Sequence, residues 1–316
     1  MELSGKTIAI DVSIYLYKYE SENALLENIY LMLSILRHYG IIPIFIFDGK
    51  APPEKKDLLD KRKNERLDAL EEFNQLKQKL ESEENNDNSD DKETEKEREK
   101  EREKIESAMN ALKRQIVQIS KDKIETVKKL ITAYGAMYYD APGEADELCA
   151  LLVIKNMVWA CLSEDMDLFV YGCTRVLRYF SLIAHTVVVY DMEGILSELG
   201  MTQPEFKEVC ILSGTDYNLN SNKTNLRLSL KYFNQFKQLS CDNIKPTFYE
   251  WISTKTNYIS NINLLYKIND MFDLQKKTSS NILDTLNIMQ IISRPKNHRD
   301  IMEIMADDGF IFVTQV

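Results

Sequence analysis

The stretch 7–48, TIAIDVSIYLYKYESENALLENIYLMLSILRHYGIIPIFIFD, holds the plan of the fold. Its two ends, TIAID and IIPIFIFD, are short apolar runs of the kind that form buried strands. Between them, LLENIYLMLSILRHYG carries apolar residues at helical spacing and stops at Gly40, a residue suited to the turn beyond a helix end. Strand, helix and strand in that order predict a βαβ unit with two parallel strands. The alternation resumes downstream. AMYYD and MVWACLS read as strands on either side of the helix GEADELCALLVIK, and a further strand fits RVLRY or HTVVVYD. Helices are expected at 191–199 and 203–213. The fold class that follows is α/β, with a mainly parallel central sheet flanked by helices.

After Gly49, Pro52 and Pro53 punctuate the chain, and Pro53 suits the first turn of a helix. Residues 54–80 and 104–133 then read as two long helices with charged faces. The intervening ESEENNDNSDDKETEKEREKEREK, 81–104, has no apolar residue, so nothing in it can drive burial. Its first half is expected to be disordered, and its KEREKERE half to extend the second helix through i,i+4 ion pairs. From 221 to 316 the pattern is Lys/Asn/Leu-rich and mainly helical, with almost no glycine or proline. These shifts predict a core over 1–220, with a helical insertion at 50–135 and an acidic low-complexity tip at 81–104. A helical C-terminal region, 221–316, follows.

The chain has 316 residues, 44% of them hydrophobic and 28% charged, enough for a substantial core. No apolar run is long enough to span a membrane, and the start MELSGKTIAID lacks a signal-peptide pattern. Five cysteines (149, 161, 173, 210 and 241) are odd in number and contain no CxxC pair. They read as buried free thiols in a reducing, intracellular compartment, which leaves zinc without a motif. The net charge of −10 at first disfavours a nucleic-acid partner. Yet twelve acids and six bases at 81–104 account for −6 of it, and 50–66 is locally +3. A mildly acidic body with one basic patch is compatible with binding phosphates.

Seven carboxylates fall where an apolar run gives way to a turn or helix. They are Asp11, Asp48, Glu144, Asp146, Asp165, Asp167 and Asp216. One acid after a strand is ordinary turn chemistry, but seven would crowd one rim of an α/β sheet, where ligands bind. Their repulsion calls for cations, and an all-oxygen donor set with few histidines suits Mg²⁺ or Mn²⁺. The chain therefore reads as a metal-dependent enzyme. Asp165 and Asp167, two apart in extended chain, would project to one side with Glu164 pointing away. Glu144, just after Pro142 and Gly143, would sit at a helix start. Nucleotide-binding and serine or thiol hydrolase readings find no GxxxxGK[ST], GxGxxG or GxSxG.

The strings AIDVS, FDGK followed by two prolines, DAPGEADELCA, SEDMDLFVYG and ELGMTQPEFKEVCILSGTDY occur in this order between Lys6 and Tyr217, about two thirds of the chain. Together they resemble the flap endonuclease (XPG-type) family of structure-specific 5′ nucleases. The resemblance implies a PIN-like nuclease core in which the seven acids hold two divalent metals, Mg²⁺ with Mn²⁺ substituting. Two such ions roughly 3.5–4 Å apart can activate a water and stabilise the leaving oxygen. It also implies that Lys55 and Arg62, seven apart after FDGK, contact the reacting phosphate, with Lys56 the substitute if the register slips by one. The helices of 54–133 take the place of the family's helical arch, through which a single-stranded 5′ end passes. Lys50 and Lys56 would meet nucleic acid, as would Lys223, Arg227 and Lys231 if 223–233 is helical.

Three features depart from the family pattern. The chain starts almost at its first strand, NLNSNKTNLRLSL lacks the glycines of the family's duplex-gripping helix-turn-helix, and Asp146 stands where glutamate is usual. No sliding-clamp peptide is recognisable. The expected partner is DNA (a 5′ flap, nicked or branched duplex) met by a monomer, in replication, repair or recombination. The alternatives are a 5′ exoribonuclease-like enzyme using the same site on RNA, or a catalytically weak scaffold of the same fold. The Asn/Lys/Ile-rich composition suits an A/T-rich genome or a large DNA virus. The nucleus is expected for a cellular eukaryotic source, and the cytoplasm or virion for a viral one.

Overall fold

The computed structural model describes residues 3–84, 92–218, 225–238, 246–259, 261–274 and 294–312. Six strands form one sheet: β1 (Thr7–Asp11), β2 (Ile42–Phe47), β3 (Met137–Asp140), β4 (Ala160–Leu162), β5 (Arg175–Ser181) and β6 (Thr186–Asp191). Their order is β3-β2-β1-β4-β5-β6. The first five run parallel, and β6 turns back antiparallel on β5. RVLRY and HTVVVYD are thus both strands of one hairpin. The chain order reverses at β1, which lies between β2 and β4, so the crevice at its carboxyl end is the place where such sheets bind ligands.

Strand side chains alternate between two cores. Ile8, Ile10, Phe45, Phe47, Ala160, Leu162 and Leu177 join one cluster; Ala9, Ile44, Ile46, Cys161 and Val176 join the other. Burial on both faces is why these strands read as continuous apolar runs rather than as alternating ones. Helices α1 (Ser13–Ser21) and α2 (Leu25–His38) connect β1 to β2 and cover the first face. On the second face lie α6 (Ala145–Ile154), α7 (Asp167–Tyr171) and α9 (Gln203–Ser213), with α8 (Met192–Leu199) following β6.

Pro53–Lys55 forms one 3₁₀ turn, and α3 (Lys56–Glu84) follows. α4 (Lys92–Ile116) packs on it, with Lys79 and Glu101 paired at 2.8 Å, and takes in the KEREKERE half as expected. In the first half of the acidic tip, expected to be disordered, 81–84 instead continue α3 to Glu84, and 85–91 lie outside the described residues. The single helix expected over 104–133 is two. α4 ends at Ile116, and α5 (Lys121–Ala133) begins after Ser120, whose side chain accepts the Lys123 N–H at 3.2 Å. That N-cap serves donors a continuous helix would have paired internally.

In the C-terminal part, α10 (Leu226–Lys237), α11 (Phe248–Lys255) and α12 (Ile262–Met271) place Phe233, Phe248, Ile252 and Ile268 in the α9 cluster. The His298–Asp307 helix returns to the opposite face, where Ile301 and Met305 join the cluster of α2 and α5. No helix among the described residues is long and apolar enough to cross a membrane.

Candidate metal centre

Asp11 is the last residue of β1 and Asp48 follows β2, so the parallel pairing of these strands sets the two carboxylates side by side. Glu144 is the N-cap residue of α6, at the helix start expected for it, and Asp146 lies in that helix's first turn. Asp165 follows β4, and Asp216 lies in the turn after α9. A cleft of about 260 Å³ is lined by Asp11, Asp48, Glu144, Asp146, Asp165 and Asp216, with Lys55 and Arg62. Asp167 completes the group, since carboxylate oxygens of Asp146, Asp165 and Asp167 lie within 4.8 Å of one another.

The extended path expected through 165–167 is corrected. Asp167 opens α7, and its N–H donates to Asp165 Oδ1 at 2.8 Å. The tight turn, rather than strand alternation, brings the two acids together. Glu164 does point away, bonded to Arg178 Nε at 3.2 Å and to the Tyr179 N–H at 2.6 Å.

The loops are locked against each other by backbone. Gly49 N–H donates to Gly143 O at 2.8 Å, and a β-carbon on Gly49 would meet Ala141 O at 1.9 Å. Only glycine allows this approach, which holds Asp48 beside the start of α6. There Asp48 Oδ1 accepts the Ala145 N–H at 2.8 Å, an anion at a helix N-terminus. Ser13 donates to the other oxygen of Asp48.

Of Lys55 and Lys56, it is Lys55 that lines the cleft. It is buried, 7% exposed, with Nζ at 2.7 Å from Glu144 and 3.5 Å from Asp216. Burial lowers its pKa, but the Glu144 hydrogen bond and the charges of Glu144, Asp146 and Asp216 outweigh this and raise it, so it stays charged. Arg62, largely exposed on α3, reaches Asp216 at 3.1 Å. Lys50 and Lys56 are exposed, as are Arg227 and Lys231 on α10, while Lys223 lies outside the described residues. Helix α10 starts only at Leu226, capped by Asn225, and runs on to Lys237, so the helix expected over 223–233 is shifted along the chain and takes in Arg227 and Lys231.

Burial and mutual repulsion oppose the charge of the carboxylates in the cleft. Burial first, then Asp48 and Asp165, push the Asp11 carboxyl up to about 7. Burial, then Asp165 and Asp216, push Asp167 to about 7 as well. Burial raises Asp146 well above the carboxylate range, with Asp165 and Glu144 adding to it. Hard oxygen donors whose charge is opposed by burial and by one another fit a divalent cation.

A prediction follows for the metal-free protein. An unfolded carboxyl titrates near ~4, so between about pH 4 and about 7 the folded state holds extra protons on Asp11 and Asp167. Their contribution to stability is full below that window, falls as pH rises through it, and is flat above. In EDTA, the combined Asp11→Asn and Asp167→Asn variant should match the wild-type Tm at the acidic end and exceed it above neutrality. A wild-type Tm equal or higher above neutrality would contradict this.

The XPG N-terminal domain matches residues 1–69, and the XPG I-region matches 135–216. The chain belongs to the XPG family. The two matches contain all seven acids, and the first extends into α3. Flap endonuclease 1 of Trypanosoma brucei gambiense is 30% identical over 235 residues, which cover 67% of this chain and 54% of that relative. The chain thus spans about half the length of such relatives. Flap endonuclease-1 from Methanococcus jannaschii has a TM-score of 0.60 at 18% identity, with 97% of this chain and 88% of that one covered. The catalytic core of Rad2 in complex with DNA substrate has a TM-score of 0.59 at 20% identity, covering 98% of this chain and 89% of that one. Both share the fold of this XPG-family chain.

Sequence reading passed over three side chains that organise the cleft. Ser13 serves Asp48, and Ser163 donates to Asp11 at 2.8 Å. Tyr217 donates to Glu144 at 2.7 Å, its phenol kept protonated by burial and by that bond. Each lies within two residues of an acid of the cleft, and that adjacency was the available signal.

Proposed function

We propose that this chain is a structure-specific 5′ nuclease that hydrolyses DNA phosphodiester bonds at flaps or 5′ ends with two divalent ions, Mg²⁺ or Mn²⁺. The observation that carries the reading is the convergence of seven carboxylates and two cations, from loops far apart in sequence, on one rim of the sheet. Asp11, Asp48, Glu144, Asp146, Asp165, Asp167 and Asp216 would hold the ions directly or through water. Bound there, the ions would supply a nucleophile at neutral pH and stabilise charge on the reacting phosphate.

The chain's own residues do the rest. Lys55 is fixed between Glu144 and Asp216 at the cleft wall, where its ammonium offers fixed positive charge to a phosphate. Arg62 enters from α3 with a more exposed guanidinium, suited to gripping a phosphate with two N–H groups. The exposed Lys50 and Lys56, and Arg227 and Lys231 four apart on α10, would track duplex phosphates.

End-labelled 5′-flap, nicked, blunt, Holliday-type and RNA substrates, each with Mg²⁺, Mn²⁺ or EDTA, test the proposal. Cleavage of branched DNA that requires metal is expected. Cleavage confined to RNA would assign the site to a 5′ exoribonuclease, and tight DNA binding without cleavage of anything would make the chain a scaffold.

A further inference from the structure

Ser163 directly follows β4 and is fully buried, 0% exposed, although it is polar. It is hydrogen-bonded on two sides. Its Oγ accepts the Asp165 N–H at 3.0 Å and donates to Asp11 Oδ2 at 2.8 Å. Among the described residues, Asp11 Oδ1 accepts a hydrogen bond only from the Ser13 N–H, at a long 3.4 Å, so the hydroxyl engages one oxygen and leaves the other the freer donor. The same hydroxyl fixes the backbone from which the Asp165 side chain projects. The next turn is built on that position, since Asp165 Oδ1 accepts the Asp167 N–H at 2.8 Å. One hydroxyl thereby ties β1 to the β4–α7 loop and sets the spacing of three acids.

We infer that Ser163 is the positioning residue of the metal centre, holding Asp11 and Asp165 in register for a divalent ion without touching it. The inference rests on the metal-site reading above. Partners behind a metal ligand typically set affinity by about 10- to 100-fold. Ser163→Ala removes one oxygen, and Ser163→Cys keeps a similar volume with a poor hydrogen-bonding group.

Mn²⁺ binding to wild type and both variants is measured by calorimetry without nucleic acid, beside Tm in EDTA. Both variants should bind the ion at least about tenfold more weakly, whether or not the loss of two buried hydrogen bonds also lowers Tm in EDTA. Unchanged Mn²⁺ affinity in either variant that folds overturns the inference while leaving the metal site standing. A lower Tm in EDTA with unchanged affinity does the same and makes Ser163 a packing residue. No Mn²⁺ binding by wild type overturns both readings.

Discussion

Asp165→Ala is expected to lower cleavage of a 5′-flap duplex by roughly 10³-fold or more, the scale on which removing one preorganised electrostatic group slows a reaction. Asp165 is central to the cluster. It shares the space within 4.8 Å of Asp146 and Asp167, and it contributes to the raised pKa values of Asp11, Asp146 and Asp167. Asp48→Ala should act similarly, since Asp48 lies beside Asp11 and against the start of α6. Neither change should unfold the protein. Removing the repelling Asp165 carboxylate relieves charge, so Tm of that variant in EDTA should hold or rise, while Asp48→Ala gives up its Ala145 N–H and Ser13 contacts and should lower Tm modestly. DNA affinity should change little, because phosphate binding comes mainly from basic groups. Undiminished turnover by either variant would remove these acids from the chemistry.

The second large effect separates two roles for a cation. If its charge at the cleft wall acts on the reacting phosphate as proposed, Lys55→Ala should reduce the single-turnover rate by roughly 10²-fold at saturating DNA. Arg62→Ala should reduce the same rate, with some loss of affinity reflecting its exposure. Lys56→Ala is the internal control, since Lys56 is exposed at the start of α3. It should leave the saturated rate unchanged and at most flatten the salt dependence of binding. Equal, small effects from all three would make this helix a solvated surface. Loss of affinity alone from Lys55→Ala would make it a tether for DNA.

Much of the fold is legible in the chain because its strands are buried on both faces and end in acids. An apolar run closed by Asp11 or Asp48 announces both a strand and the rim it points to. The break between α4 and α5 is less legible. Ser120 lies among charged residues that suit helix and cap alike, and only its bond to Lys123 N–H shows which applies. Helical periodicity shows that a face is apolar but not which core receives it. Nothing in the pattern of α10 or the His298–Asp307 helix says that they cover opposite faces of the sheet.

At the site, local spacing placed Glu144 at a helix start and turned Glu164 outward. It placed Asp165 and Asp167 together for the wrong reason, since a turn into α7 rather than an extended strand joins them. Lys55 and Lys56 are chemically alike, and only the 3₁₀ turn after Pro52 decides which one is buried. Ser163 and Tyr217 contribute one hydroxyl each, and a hydroxyl's partner is set by tertiary contact rather than by spacing.

Whether the acidic rim is a divalent-metal centre is decided by anomalous scattering from a crystal grown with Mn²⁺. Anomalous peaks are expected in the cleft bounded by Asp11, Asp48, Glu144, Asp146, Asp165, Asp167 and Asp216, with Lys55 moved off Glu144 or sharing it. A well-ordered cleft with no peak at saturating Mn²⁺, or peaks only elsewhere on the molecule, would contradict the metal-centre reading.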